Sequence, residues 1–142
     1  MLPSLAPGLA VDFRYQVPPE RTVPHLLPES PEFGAMPLVL ATGYMVALCE
    51  WACIRALNPH LDWPREQTVG IGVALSHVAA TPPGLWVHIT GQLVRVQGRR
   101  LFFELTAHDG VDLISQGTHE RYVINKAGFD QKMAAKAAGA AS

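Results

Sequence analysis

The sequence predicts an α+β protein in which one long central helix is wrapped by a curved antiparallel β-sheet. Three observations carry that expectation. The longest apolar run, PLVLATGYMVALCEWACIRAL at residues 37–57, holds only two formal charges, Glu50 and Arg55, and reads as a helix buried on most sides. From residue 67 onward the period changes from helix to strand, with tight-turn signals between the stretches. One further strand pattern precedes the helix. Hairpin links make consecutive strands antiparallel, and one helix packed on such a sheet is an α+β layout.

Residues 9–17 alternate around Val11, Phe13, Tyr15 and Val17, a strand that Pro18-Pro19 ends. Residues 18–37 carry six prolines, which forbid a long helix or a central strand and favour a stiff, irregular excursion. A loop of that length inside a compact domain is usually functional, often a lid or a binding-site wall. The helix follows over residues 38–57 and stops at Asn58-Pro59; Thr42-Gly43 near its start marks an adjustment or a close approach. Residues 60–66 form a polar connection and residues 68–79 a strand interrupted by Gly70 and Gly72. After the turn at Thr81-Pro82-Pro83-Gly84, residues 85–96 alternate, with a shift after Gly91 that predicts a β-bulge. Gln97-Gly98 turns into a strand at 100–108, and Asp109-Gly110 predicts a two-residue hairpin into a strand over 111–124. Residues 126–138 form a short helix with a fraying Ala-rich end. A single helix laid across four meander strands, with the first strand at its side, is the hotdog arrangement.

The 142 residues suit one domain spanning 1–142, with 1–8 and 134–142 as flexible ends. A chain of this size buries about two-thirds of its unfolded surface. With 49% hydrophobic and 16% charged residues it is an ordinary globular sequence, and a net charge of −1 gives no reason to expect nucleic acid or an anionic membrane as partner. The N-terminus lacks a basic region and is broken by Pro3 and Pro7, unlike a signal peptide. Glu50 inside the apolar run argues against a membrane span. Cys49 and Cys53 lie four apart on the helix and read as buried free thiols. They build neither a disulfide framework nor a metal site, and reduced thiols fit a cytoplasmic location.

Glu50, between Cys49 and Trp51, poses the chemical question. An ionised carboxylate in a helix interior is costly unless paired, hydrogen-bonded or protonated. Three readings stand: a solvated strip of the helix, an ion pair with an arginine such as Arg55 or Arg121, or a carboxylate made basic by burial and used as nucleophile or general base. Thr42, eight residues earlier, lies roughly 80° away around the helix, so both can border one cavity; alone, Thr42 reads as a packing residue. Among six histidines, His25, His60 and His88 carry no special pattern, and His108 and His119 flank the Asp-Gly hairpin and its return strand. His77 ends an apolar strand just before a turn, where a histidine is most often a hydrogen-bonded structural residue but can also reach a helix crossing the sheet. Carboxylate, hydroxyl and imidazole together make an acyl-transfer constellation. No zinc spacing, GxSxG elbow, P-loop or dinucleotide glycine fingerprint is present.

The blocks HLLPESPEF (25–33), LATGYMVALCEWACIRAL (40–57), SHVAATPPGL (76–85), VQGRRL (96–101) and AHDGVDLISQGTHERYVI (107–124) resemble the fluoroacetyl-CoA thioesterase family of hotdog proteins, over residues 11–132. The resemblance implies a homodimer that hydrolyses a short acyl-CoA thioester without a cofactor or metal. It implies Thr42, Glu50 and His77 as the catalytic residues. Gly70 and Arg121 follow as active-site residues, and Val23, Leu26 and Phe33 as pocket walls in the Pro-rich loop. Met36 stands where the fluoroacetate-resistance enzyme has a second lid phenylalanine, and methionine is the more flexible, less shape-specific side chain. A non-catalytic acyl-CoA-binding hotdog protein is the alternative. A hotdog enoyl-CoA hydratase or dehydratase ranks below it, because no added helix with an Asp/His pair is present.

Overall fold

The computed structural model describes residues 1–141. Its five strands are β1 (Ala10–Gln16), β2 (Glu66–Leu75), β3 (Trp86–Gln97), β4 (Arg100–His108) and β5 (Leu113–Asn125). They form one antiparallel sheet in the order β1-β3-β4-β5-β2. Two one-turn helices, α1 (Val23–Leu26) and α2 (Pro31–Gly34), lie in the Pro-rich excursion; the long helix is α3 (Thr42–Leu57), and α4 (Lys126–Ala141) follows the sheet.

Met45, Leu48, Cys49, Ala52, Cys53 and Leu57 are the buried residues of α3, the three-and-four spacing of a single helix face. They share one core with Val11 and Phe13 of β1, Val87, Ile89 and Leu93 of β3, Leu101, Phe103 and Leu105 of β4, and Val123 of β5. The strands at the two ends of the sheet order, β1 and β2, both touch α3, so the sheet curls around the helix.

The helix differs from its sequence reading in two ways. It begins at Thr42 rather than residue 38, because the backbone just before it is engaged elsewhere. Val39 C=O accepts from Val23 N–H, Leu40 N–H donates to Thr81 C=O, and Ala41 N–H donates to Arg21 C=O. Thr42-Gly43 is therefore the first turn, and the close approach is at Gly43, where an added Cβ would lie 3.1 Å from Leu26 Cδ2. The helix is also less enclosed than expected. Trp51 is 43% exposed against Phe13 and Tyr15 of β1, with Arg55 stacked on the Trp51 and Phe13 rings, and the Glu50 side chain is 38% exposed.

The bulge in β3 falls between Leu93 and Arg95, slightly beyond Gly91, and β2 has its own shift between Gly70 and Gly72. β2 ends at Leu75, although Ser76 N–H to Gln116 C=O and Val78 N–H to Ile114 C=O continue its pairing with β5. The Asp-Gly connection is wider than a two-residue turn. Asp109 Oδ1 accepts from the backbone N–H groups of Val111 and Asp112, and β5 starts only at Leu113. Its other oxygen accepts from buried Thr81 Oγ1 at 2.9 Å. Within residues 1–8, Leu5 is buried, Leu2 N–H donates to His60 C=O, and Gly8 N–H donates to Leu93 C=O. The expected flexible end at 134–142 is helical through Ala141, and Ser142 lies outside the described residues. Among the described residues no helix is long and apolar enough to cross a membrane.

Candidate active site

The expected site residues fall into two groups along α3. At its N-terminus Thr42 Oγ1 and His77 Nδ1 are 2.7 Å apart. His77 sits just beyond β2, opposite Ser115, in the continuation of the β2–β5 pairing. Its Nε2 is buried and has no hydrogen-bond partner among the described residues, and the same holds for Ser115 Oγ. Burial lowers the His77 pKa from the ordinary histidine value of 6.5, which favours the neutral ring, the form able to take a proton.

The second group is built on β5. Arg121 is buried, its side chain 3% exposed, and a buried charge must be matched. Its Nη1 donates to Glu50 Oε1 at 3.0 Å and to His119 Nε2 at 3.0 Å; Nε donates to Thr68 Oγ1 and Nη2 to Thr68 C=O, each at 2.8 Å. Of the two arginines considered for Glu50, the one on the sheet makes the pair, while Arg55 stacks on aromatic rings. Gly70 faces this cluster. A Cβ there would lie 2.6 Å from Glu50 Oε1 and 3.5 Å from Arg121 Nη1, so only glycine leaves the carboxylate where it is.

Within one chain the two groups stay apart. Eight residues of helix separate Thr42 from Glu50, roughly 12 Å at 1.5 Å of rise per residue, and no hydrogen bond joins them among the described residues. Val23 and Leu26 belong to α1 and Phe33 to α2, all partly exposed, while Met36 is 50% exposed. The excursion is closed at its base by the Thr22–Leu40 bridge and held to α3 by Tyr44 Oη donating to His25 C=O.

Thr68 and His119 join the cluster without having been singled out in the sequence. The alternation of β5 was the available signal, since His119, Arg121 and Val123 are buried while Thr118 and Tyr122 are exposed. Cys49 and Cys53 are poor nucleophiles: burial pushes both thiols up to about 12. Among the described residues no three His, Cys, Asp or Glu side chains gather as a metal site would require.

Two outcomes follow from this geometry. Gly70→Ala displaces the tip of a flexible side chain and no backbone. Crowding Oε1 away from Arg121 Nη1 weakens the match to a buried charge, so the melting temperature should fall by several degrees, in line with about 1–3 kcal/mol for an unmatched buried donor; an unchanged melting temperature would contradict the crowding. The second outcome concerns acid. Burial lowers the pKa values of both His77 and His119 below 6.5. The unfolded chain therefore takes up these protons at higher pH than the folded one, and stability rises with pH in this window. The melting temperature measured by calorimetry should fall as pH drops from about 7 to 5, and a flat profile would show that the two rings titrate alike in both states.

The sequence model of the fluoroacetyl-CoA-specific thioesterase family matches residues 20–127. The fluoroacetyl-CoA thioesterase of Streptantibioticus cattleyicolor is 53% identical over 122 residues, covering 86% of this chain and 87% of that protein. A solved fluoroacetyl-CoA thioesterase superposes with a TM-score of 0.90 at 50% identity, over 94% of this chain and 98% of that one. A thioesterase superfamily member from Thermus thermophilus superposes with a TM-score of 0.84 at 26% identity, over 99% of this chain and 100% of that one. A hot-dog-like protein from Thermanaerovibrio acidaminovorans, at 18% identity and a TM-score of 0.76, shares the fold. The helix wrapped by a curled antiparallel sheet is thus the hotdog fold, and the chain belongs to the fluoroacetyl-CoA-specific thioesterase family.

Proposed function

We propose that this protein is a thioesterase that hydrolyses short-chain acyl-CoA, using Glu50, His77 and Thr42, as a homodimer in the cytoplasm. The observation that carries the reading is the Glu50 carboxylate, aimed by buried Arg121 at the one position on β2 where a side chain would displace it. A carboxylate held there either attacks the thioester carbonyl itself or takes the proton of an attacking water. The sum is the same by both routes: water enters, the C–S bond breaks, and a carboxylic acid and the CoA thiol leave. A backbone N–H beside Gly70 polarises the carbonyl oxygen. Neutral His77, held by Thr42, supplies a proton acceptor during attack and a donor to the leaving thiolate.

The short acyl group lies beneath the Pro-rich excursion, against Val23, Leu26, Phe33 and Met36. Curated and solved relatives are named for fluoroacetyl-CoA, which makes fluoroacetyl-CoA and acetyl-CoA the pair of substrates to compare. Met36 offers a pliable wall in place of a rigid ring.

The dimer reading rests on β2. This ten-residue strand is at the edge of the sheet order, with Ile71 45% and Val73 51% exposed. A long apolar edge is a template for pairing with another strand. A second copy of β2, antiparallel to the first about a two-fold axis, brings the Thr42–His77 pair of one copy towards the Glu50 cluster of the other. One site then draws on both copies, which accounts for the separation along α3.

A thiol-trapping assay across acyl-CoA chain lengths tests the activity. Release of CoA from the shortest substrates is expected, with loss of about a hundredfold or more in Glu50→Ala and His77→Ala. Tight binding without thiol release would mark a non-catalytic acyl-CoA-binding protein, and a change in enoyl absorbance without thiol a hydratase. Subunit mixing tests the shared site. Glu50→Ala and His77→Ala, each inactive alone, should recover about a quarter of parental turnover when refolded together, because half of the dimers gain one intact site. No recovery in a mixture that forms mixed dimers would confine each site to one chain.

A further inference from the structure

We infer that His119 is a positioning residue that holds Glu50, through Arg121, and the Gly70–Gly72 bulge of β2 in one fixed arrangement. The inference deepens the proposed role of Glu50 and rests on it. His119 is 1% exposed, and both ring nitrogens are engaged: Nδ1 is 2.7 Å from Gly72 C=O, and Nε2 is 3.0 Å from Arg121 Nη1. A guanidinium only donates and a carbonyl only accepts. The ring must therefore carry its proton on Nδ1 and present a bare Nε2, and no other neutral tautomer satisfies both contacts.

The two contacts lead to opposite walls of the site. Arg121 Nη1 divides its two protons between His119 Nε2 and Glu50 Oε1, while Thr68 grips the other end of the guanidinium at two points. Losing the imidazole acceptor leaves a buried N–H unmatched and frees the guanidinium to tilt, carrying the Glu50 carboxylate with it. On the other side, the ring tethers the carbonyl of Gly72, the residue that closes the register shift after Gly70. The ring also lies against Gly70, where an added Cβ would be 3.4 Å from His119 Cε1. One side chain thus sets the distance between the carboxylate and the strand backbone that faces it. Burial lowers the pKa of His119, with the Gly72 bond opposing that shift and the Arg121 charge adding to it. The Glu50 and Glu120 charges also oppose the shift, and the net result is a lowered pKa that favours the neutral ring.

His119→Phe keeps the ring's bulk without its nitrogens, and His119→Gln restores one donor and one acceptor. Thiol release by both is compared with Glu50→Ala, alongside melting curves. His119→Phe should lose about 100-fold in kcat with KM changed by less than about threefold, and His119→Gln should recover about tenfold of that loss. A filler of the core would move the melting temperature but not this kcat-against-KM pattern. Parental kcat in His119→Phe, or glutamine no better than phenylalanine, overturns the inference. Should His119→Phe fail to fold, ring ¹⁵N spectra of the unaltered protein decide: protonated Nδ1 with bare Nε2 near neutral pH is expected, and protonated Nε2 overturns it. Full activity in Glu50→Ala would remove the catalytic reading and this one together, whereas an inactive Glu50→Ala beside an active His119→Phe removes this one alone.

Discussion

The buried guanidinium of Arg121 is the constraint on which the site depends. A charge removed from water must find its partners in the protein, and removing one partner costs far more than the pair contributes when intact. Arg121 meets that demand with four N–H donors placed on Thr68, His119 and Glu50, which lie on three different elements. β2, β5 and α3 are therefore fixed relative to one another by electrostatics as well as by apolar packing. The same demand explains why Glu50 is tolerated on an otherwise apolar helix. Its charge is matched from the sheet, and its side chain remains partly exposed.

A second set of contacts fixes the other end of the helix. Thr81 joins Asp109 below it to Leu40 above it. Hydrogen bonds from the backbone of Asp112 and Val111 and from Thr81 outweigh burial and hold the Asp109 carboxyl below the usual range. The carboxylate is therefore ionised, and an ionised acceptor makes the stronger hydrogen bond. This anchor sets the first turn of α3, hence Thr42, and lies four residues from His77. It also pins the base of the Pro-rich excursion, whose apolar tips remain half-exposed. Rigid anchors below a loosely packed cover suit a site that must admit and release its ligand.

The elements themselves were largely legible, because each left a local signature. A long apolar run marked α3, turn residues marked the hairpins, and the proline run marked the excursion. Boundaries shifted where backbone groups had distant partners: residues 39–41 bond to Val23, Thr81 and Arg21, which no local pattern encodes. The Asp-Gly turn widened for the same reason, since Asp109 serves Thr81 as well as its own loop.

Glu50 could be singled out from sequence because a carboxylate among apolar residues is a local anomaly, and the family blocks supplied Thr42, His77, Gly70 and Arg121 beside it. Which arginine neutralises Glu50, and that a histidine two residues away on β5 holds that arginine, were decided by tertiary structure alone. Pairing a buried charge is a matter of distance through space, and residues 50, 68, 119 and 121 meet only once the sheet has curled around the helix. Sequence by itself determined that this helix carries one acid needing a reason; the fold decided what that reason is.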